Sequence, residues 1–383
     1  MPALLGGFGN KDKFNLFLNS NYTGNGSQNL YLHKFLCTLA SKSNLNTKAS
    51  IISSSNSNCL ISLNKKNKIN KNNDALGSYL AGLIEGDGTF AIHNKDSTAK
   101  KYFPMIIVVF KKNDLPLAQH LQNVTNCGNI YNKSNRGYVI WQIQDIVSIF
   151  TIVKLINGKM RTPKIEALQR TIDWLNKYIE QNKSSNFNKT KLILSKIYKL
   201  DLKPLDISPI NSNYWLAGFS DADGNFSINI HKRSGKDSTR IQLYYRLEIR
   251  QTYHRLDSEG NKTSFFAIMS KLANFLGVNV YSRSRNINEK QFFSYTVVAH
   301  NKSSLEIIVK YFTNYPLLSS KYLDFNDWLY ILTKQINFSQ TSNLQKLPSS
   351  YIEEAIKIRT NFNKTRTIYN WDHLKNSYLT KID

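Results

Sequence analysis

The strongest constraint on this chain is that it contains the same phrase twice. Leu80-Ala81-Gly82-Leu83-Ile84-Glu85-Gly86-Asp87-Gly88-Thr89-Phe90 is matched by Leu216-Ala217-Gly218-Phe219-Ser220-Asp221-Ala222-Asp223-Gly224-Asn225-Phe226, which begins 136 residues later. An internal repeat of this length predicts two structural units of one kind. The same order of signals follows each copy: an alternating strand, a second strand, a helix, two shorter strands, then one or two helices. In the second half the strands are read as residues 225–232, 240–252, 279–285 and 291–300, and the helices as 264–276, 303–312 and 319–335. The fold class is α+β, with two pseudo-symmetric αββαββα halves, each built on a four-stranded antiparallel sheet. The boundaries are read as an N-terminal extension (1–75), a first half (76–181), a linker (182–212), a second half (213–335) and a partly helical tail (336–383). In the extension, residues 41–73 are Ser/Asn/Lys-rich without an apolar face and read as flexible or loosely attached. Pro204 and Pro209 stop any helix in the second part of the linker.

Each copy places small residues four apart, Gly82 with Gly86 and Gly218 with Ala222, inside what its apolar residues mark as a helix. Glycine in a helix interior costs about 1 kcal/mol relative to alanine, so a repeated placement needs a reason. A flat stripe of small residues lets two helices cross closer than the usual 8–10 Å. If the two repeated helices pack on each other, Asp87 and Asp223 meet where both helix macrodipoles are negative. That arrangement is repulsive without a cation. Carboxylate and carbonyl oxygens suit Mg²⁺, which completes its shell with water and phosphate oxygens. A lone Asp-Gly would do no more than end a helix in a turn; two at matched positions ask for a shared ligand.

Charge says what that ligand is attached to. Lys and Arg number 51 against 26 Asp and Glu, a formal net charge of +25, and an excess of that size calls for a polyanionic partner, nucleic acid first. Hydrophobic residues at 41% are enough for at least one large core and exclude a chain disordered over most of its length. Cys37, Cys59 and Cys127 are too few and too scattered for a disulfide framework or a CxxC-type zinc site, which suits a reducing compartment. No run of apolar residues is long enough to span a bilayer, so no membrane partner is expected. Heavy use of Asn, Lys, Ile, Ser and Tyr fits AT-rich coding DNA and points to the mitochondrion.

The two segments resemble the LAGLIDADG motif of homing endonucleases and the related intron maturases, over about residues 76–335; seven of nine positions agree in each copy. The resemblance implies a monomeric, site-specific nuclease that hydrolyses double-stranded DNA with Mg²⁺ or Mn²⁺. It carries the metal-ligand role to Asp87 and Asp223 at the eighth position, with the carbonyls of Gly86 and Ala222 assisting. Glu85 and Asp221, at the sixth, are then structural. It also implies a basic residue at the start of a late helix in each half, here Lys164 and Lys321, and a polar water-organiser late in the second strand, here Gln251, facing Lys111 of the first half. Its alternatives are an RNA maturase assisting its own intron, alone or alongside nuclease activity, and a non-catalytic DNA-binding regulator, which would be expected to lose one or both aspartates.

Strand alternation separates a core face from a face for the major groove. Asn225, Ser227, Asn229 and His231 alternate with Phe226, Ile228 and Ile230. Arg240, Gln242, Tyr244, Arg246, Glu248 and Arg250 alternate with Ile241, Leu243, Tyr245, Leu247 and Ile249, and Tyr281, Arg283 and Arg285 extend the polar set. Such side chains carry the donors and acceptors that base edges require. The first half offers Thr89, His93 and Lys95 but is less polar in its second strand, so readout is expected to be unequal. Finally, residues Met1–Asn10 resemble a segment of cytochrome c oxidase subunit 1, and the likeness stops at Lys11. An intron reading frame fused to its upstream exon would look like this, and the expected target is the intronless exon junction after the codon for Asn10.

Overall fold

A computed structural model describes residues 59–92, 103–232, 239–256, 259–341, 347–379 and 381. Residues Ser55–Trp328 and Gln345–Asp383 make one compact unit, which holds the first half and the second half as far as Trp328. Met1–Ser54 and Leu329–Leu344 make the other, described only as the later part of a helix. No helix among the described residues is long and apolar enough to cross a membrane.

The first half runs α1 (Cys59–Asp87), β1 (Gly88–Ala91), β2 (Met105–Lys111), α2 (Leu115–Thr125), β3 (Asn129–Lys133), β4 (Tyr138–Ile143), α3 (Ile146–Ile156) and α4 (Ile165–Asn182). After α5 (Asn188–Leu194), the second half runs α6 (Trp215–Asp223), β5 (Gly224–Lys232), β6 (Thr239–Arg250), β7 (Thr252–Leu256), β8 (Lys262–Ser264), α7 (Phe266–Leu276), β9 (Val280–Ile287), β10 (Lys290–Ala299), α8 (Lys302–Asn314) and α9 (Lys321–Thr341). The sheets have the same order, β1-β2-β4-β3 and β5-β6-β10-β9, with every pairing antiparallel. The two-fold α+β plan read from the sequence is therefore the fold.

The centre of the molecule is the crossing of α1 and α6. Residues 76–85 and 215–221 are buried throughout, as helices that are apolar on every side must be. A Cβ on Gly82 would lie 2.0 Å from the carbonyl oxygen of Trp215, and one on Gly218 would lie 2.0 Å from that of Tyr79. A Cβ on Gly86 would meet the Ala222 Cβ at 2.2 Å. The backbones are thus in direct contact at the positions where the stripe of small residues is repeated.

Each sheet covers its own helices with one face. Ile106, Val108 and Phe110 of β2 and Val139, Trp141 and Ile143 of β4 are buried with Leu121, Ile152 and Leu168 from the helices of the first half. The Trp141 indole donates to the Cys127 carbonyl at 2.8 Å, so its one polar atom is satisfied. In the second half Phe226 is the hub: its ring lies 5.3–5.7 Å from those of Tyr245, Phe312, Phe325 and Trp328.

Four features depart from the sequence reading. First, α1 begins at Cys59, within the stretch read as lacking regular structure. Second, the strand expected over 240–252 ends at Arg250, and β7 and β8 form a separate two-stranded sheet with no counterpart among the described residues of the first half. The backbone turns at Gln251, whose N–H donates to the Phe293 carbonyl and whose carbonyl accepts from Phe265. Polar and apolar residues go on alternating across the break, so pattern alone could not show it. Third, the linker is bonded along the first half: Asn157 donates to the Asp201 carbonyl at 2.8 Å, Asn176 exchanges two bonds with Leu200, and Arg161 pairs with Asp206 at 2.7 Å. Fourth, the tail, with α10 (Ser349–Thr360) and α11 (Asp372–Lys375), is a strap across both halves. Tyr369 and Ser377 bond to Asn113 and His120 of the first half, at 2.6 and 2.8 Å. Asn363 bonds to the Phe226 carbonyl at 2.7 Å, and Arg366 pairs with Asp324 at 2.8 Å, both in the second half.

Because the Gly82 and Gly218 contacts are with backbone, a methyl group at either position has nowhere to go. Gly82→Ala and Gly218→Ala are each expected to lower unfolding stability by about 3 kcal/mol or more, read as a shift of the urea midpoint. An alanine at Gly137, whose Cβ would meet nothing within 4 Å, should avoid that steric cost and show only the smaller strain of its positive φ.

Candidate active site

The crossing brings the ends of α1 and α6 together, and with them Asp87 and Asp223. A Cβ on Gly86 would also come within 3.2 Å of the Asp223 carboxylate. Asp223 is half-buried and Asp87 is open to solvent on one side. Burial, and then the charge of Asp87, push the Asp223 carboxyl up to about 6. Burial also raises Asp87, against the opposing pull of Lys321, Lys164 and Lys111. Among the described residues no group of three or more His, Cys, Asp or Glu side chains converges, so the site offers an ion two carboxylates and backbone oxygens, not a closed protein cage.

The two lysines reach the same place from the late helices. Lys164 Nζ donates to the carbonyls of Ile84, Gly86 and Gly88 at 3.0, 3.4 and 2.9 Å. Lys321 Nζ donates to those of Ser220 and Ala222 at 3.0 and 2.6 Å. Each therefore caps the end of a motif helix, where carbonyls lack helical partners and the dipole is negative. Gly86 and Ala222, read as assisting carbonyls, are among the acceptors. Burial brings Lys164 down to about 8, resisted by Glu85, Asp223 and Asp87. It lowers Lys321 as well, with Lys111 adding to the effect.

Glu85 and Asp221 point away from this cluster. Glu85 accepts from the backbone N–H of Arg161 and Thr162 and from the Trp215 indole. Asp221 accepts from the Tyr79 hydroxyl, the Leu318 N–H and the Ser319 hydroxyl. With their oxygens so occupied, both carboxylates are built into the protein.

The register decides the fourth cation. Gly88 faces Val108 and Gly224 faces Leu247; three residues beyond these partners stand Lys111 and Arg250. The position equivalent to Lys111 is thus Arg250, and its charge acts on both Asp223 and Lys164. Gln251 is turned toward β9, where its amide donates to the Ser282 hydroxyl at 2.6 Å. The expectation for Gln251 rests on a strand running to residue 252, whereas β6 ends at Arg250.

The outward face of the second sheet gathers the polar set. Asn225, Ser227, Asn229 and His231 lie opposite Arg246, Tyr244, Gln242 and Arg240. Tyr281, Arg283 and Arg285 lie opposite Thr296, Ser294 and Phe292 of β10. Glu248 is held by Arg283, Arg285 and the Ser294 hydroxyl, which occupies its acceptors within the sheet. Arg246 Nε is buried and has no hydrogen-bond partner among the described residues. Phe292 and Ser294 belong to this face and were missed, although residue parity along β10 would have found them. In the first half Thr89 is exposed next to Ile107, and the outward side chains of β2 are Met105, Ile107, Val109 and Lys111. Asn129, Tyr131 and Lys133 on the edge strand supply polar groups that the sequence reading also missed. His93 and Lys95 lie outside the described residues.

With this geometry in view, known proteins place the chain. The family profile described as "LAGLIDADG endonuclease" matches it twice, over residues 80–175 and 216–332. The chain is 41% identical over 393 residues to "Intron-encoded DNA endonuclease aI3" of Saccharomyces cerevisiae, covering 99% of this chain and 82% of that one. It is 25% identical to "Uncharacterized cox1 intron-2 37.2 kDa protein" of Schizosaccharomyces pombe, covering 72% of each. Its fold matches the crystal structure of the LAGLIDADG homing endonuclease I-GzeII in complex with its DNA target. The TM-score is 0.54 at 18% identity, over 76% of this chain and 99% of that one. Two copies of one motif, crossed so that their aspartates meet, make this chain a double-motif member of the LAGLIDADG endonuclease family.

Proposed function

We propose that this protein is a site-specific endonuclease that makes a double-strand cut in DNA with Mg²⁺ or Mn²⁺. The observation that carries this reading is the meeting of Asp87 and Asp223 at the crossed helix ends, ringed by Lys164, Lys321, Lys111 and Arg250. Two carboxylates and two carbonyls, those of Gly86 and Ala222, are the hard oxygen donors a divalent ion accepts. The carbonyls already bond lysine, but each has a second lone pair. When bound, such an ion polarises a phosphate oxygen and acidifies the attacking water. The chain's own contribution is positive charge: the lysines and Arg250 stand where the phosphate would carry its developing negative charge. The outward sheet faces, polar in the second half and more apolar in the first, lie along the major groove, where the Asn, Gln and Arg side chains of β5 and β6 carry the donors and acceptors that base edges need.

The relative named as intron-encoded, together with the exon-like residues Met1–Asn10, supports a target at the intronless exon junction after Asn10 and a mitochondrial setting. A DNA duplex spanning that junction, incubated with the protein and Mg²⁺, should be cut in both strands. Asp87→Asn and Asp223→Asn should each reduce the rate by at least about 100-fold while leaving DNA affinity nearly unchanged; unaltered cutting by both variants would remove the site. Arg250→Ala is expected to lower the rate more than Gln251→Ala, in single-turnover assays on the same duplex.

Proton and metal compete for Asp223. Its pKa of about 6 in the fold lies above the ordinary value, so the proton is held more tightly than in the unfolded chain and must leave before an ion binds. Mn²⁺ affinity, followed by electron paramagnetic resonance, should weaken as pH falls through about 6. In Asp223→Asn that dependence should flatten. The same shift means that, without metal, the ionised carboxylate destabilises the fold, so Asp223→Asn should raise the melting temperature at neutral pH and lose that advantage below about pH 4.

A further inference from the structure

Each lysine of the site is set by a chain of hydrogen bonds that starts in the other half of the molecule. Trp215, in the first turn of α6, donates its indole N–H to Glu85 of α1. Glu85 in turn accepts from the backbone N–H of Arg161 at 2.9 Å and of Thr162 at 2.6 Å, and the Thr162 hydroxyl accepts from the N–H of Lys164 at 3.3 Å. The second chain mirrors the first. Tyr79 of α1 donates to Asp221 of α6 at 2.7 Å. Asp221 also accepts from the Leu318 N–H at 2.8 Å and from the Ser319 hydroxyl, which accepts from the N–H of Lys321 at 3.1 Å. Tyr79 and Trp215 occupy the same place, one residue before each motif, and both are fully buried.

We infer that Trp215 and Tyr79 are positioning residues, each fixing through the sixth-position carboxylate of the opposite motif helix the turn that delivers one active-site lysine. The inference deepens the nuclease reading and rests on the role given there to Lys164 and Lys321. Its physical basis is that a lysine side chain is long and flexible. Holding its ammonium on the helix-end carbonyls therefore depends on where its backbone starts. The carboxylates fix that start with charge-assisted bonds in a dry interior, where leaving one acceptor unmet is costly. Because the donors come from the opposite half, neither lysine is in place until the two helices have crossed. The chemistry at each site is thereby conditional on the joint between the halves.

The arrangement makes a strand-specific prediction. Trp215→Phe and Tyr79→Phe keep an aromatic ring and remove only the donor. On a duplex with each strand labelled separately, wild-type protein should cut both strands. Trp215→Phe should slow one strand and Tyr79→Phe the other, each by about 10- to 100-fold, at unchanged DNA affinity. A purely structural role would lower stability and slow both strands alike, so equal slowing, or no slowing in a folded variant, overturns the inference. Wild-type protein that leaves both strands whole would overturn the nuclease reading and this one together, and is distinguishable from the first result. If Trp215→Phe does not fold, Glu85→Gln weakens the same chain at its middle link and should slow the same strand.

Discussion

The rest of the molecule depends on a backbone-to-backbone contact between two helices. With Gly82 and Gly218 pressed against carbonyls of the opposite helix, the ends of α1 and α6 can only be neighbours. Two aspartates far apart in sequence are then forced into one electrostatic environment. Burial raises both carboxyl pKa values, and the charge of Asp87 adds to the rise at Asp223. The lysines and Lys111 and Arg250 supply part of the compensation from the protein itself.

Around that contact the halves are alike in plan and unlike in surface. Both sheets present one face to their helices and one outward, but the outward face of β6 is Arg, Gln, Tyr and Glu where that of β2 is Met, Ile and Val. Among the described residues the β7–β8 sheet belongs to the second half alone, and its Tyr253 hydroxyl reaches Glu166 of the first at 3.3 Å. A duplicated scaffold of this kind can keep its chemistry symmetric while its recognition surfaces diverge, because the core faces and the outward faces alternate along the same strands and vary independently.

The tail adds a second tie between the halves. Tyr378 stacks on Tyr214 with ring centroids 3.9 Å apart, next to the base of the helix crossing. The buried Arg366–Asp324 pair and the bonds to Asn113 and His120 hold the strap at both ends. Nothing in the composition of residues 336–383 announced this, since a strap is recognised by what it touches and its contacts are spread singly along an irregular path.

The repeat, the small-residue stripe and the alternation of strands are local or periodic properties, and from them the sequence alone determined the two-fold α+β plan, the aspartate pair and most of the outward polar face, while the lysine candidates came from the resemblance of the motifs to the family. What only the tertiary structure decided is whatever depends on register or on partners distant in the chain. The strand ends at Arg250 and the chain turns at Gln251, so Arg250 and not Gln251 stands in register with Lys111, because strand parity reverses with each residue and pattern does not reveal where pairing stops. The hairpin joining β9 to β10 turns through Asn288 and Glu289, both at positive φ, without the glycine that would have announced it. The carboxylates Glu85 and Asp221 could be set aside from the metal by resemblance, but their donors, Trp215 and Tyr79, became visible only when the helices crossed, since a hydrogen bond between groups far apart in the chain leaves no spacing to read.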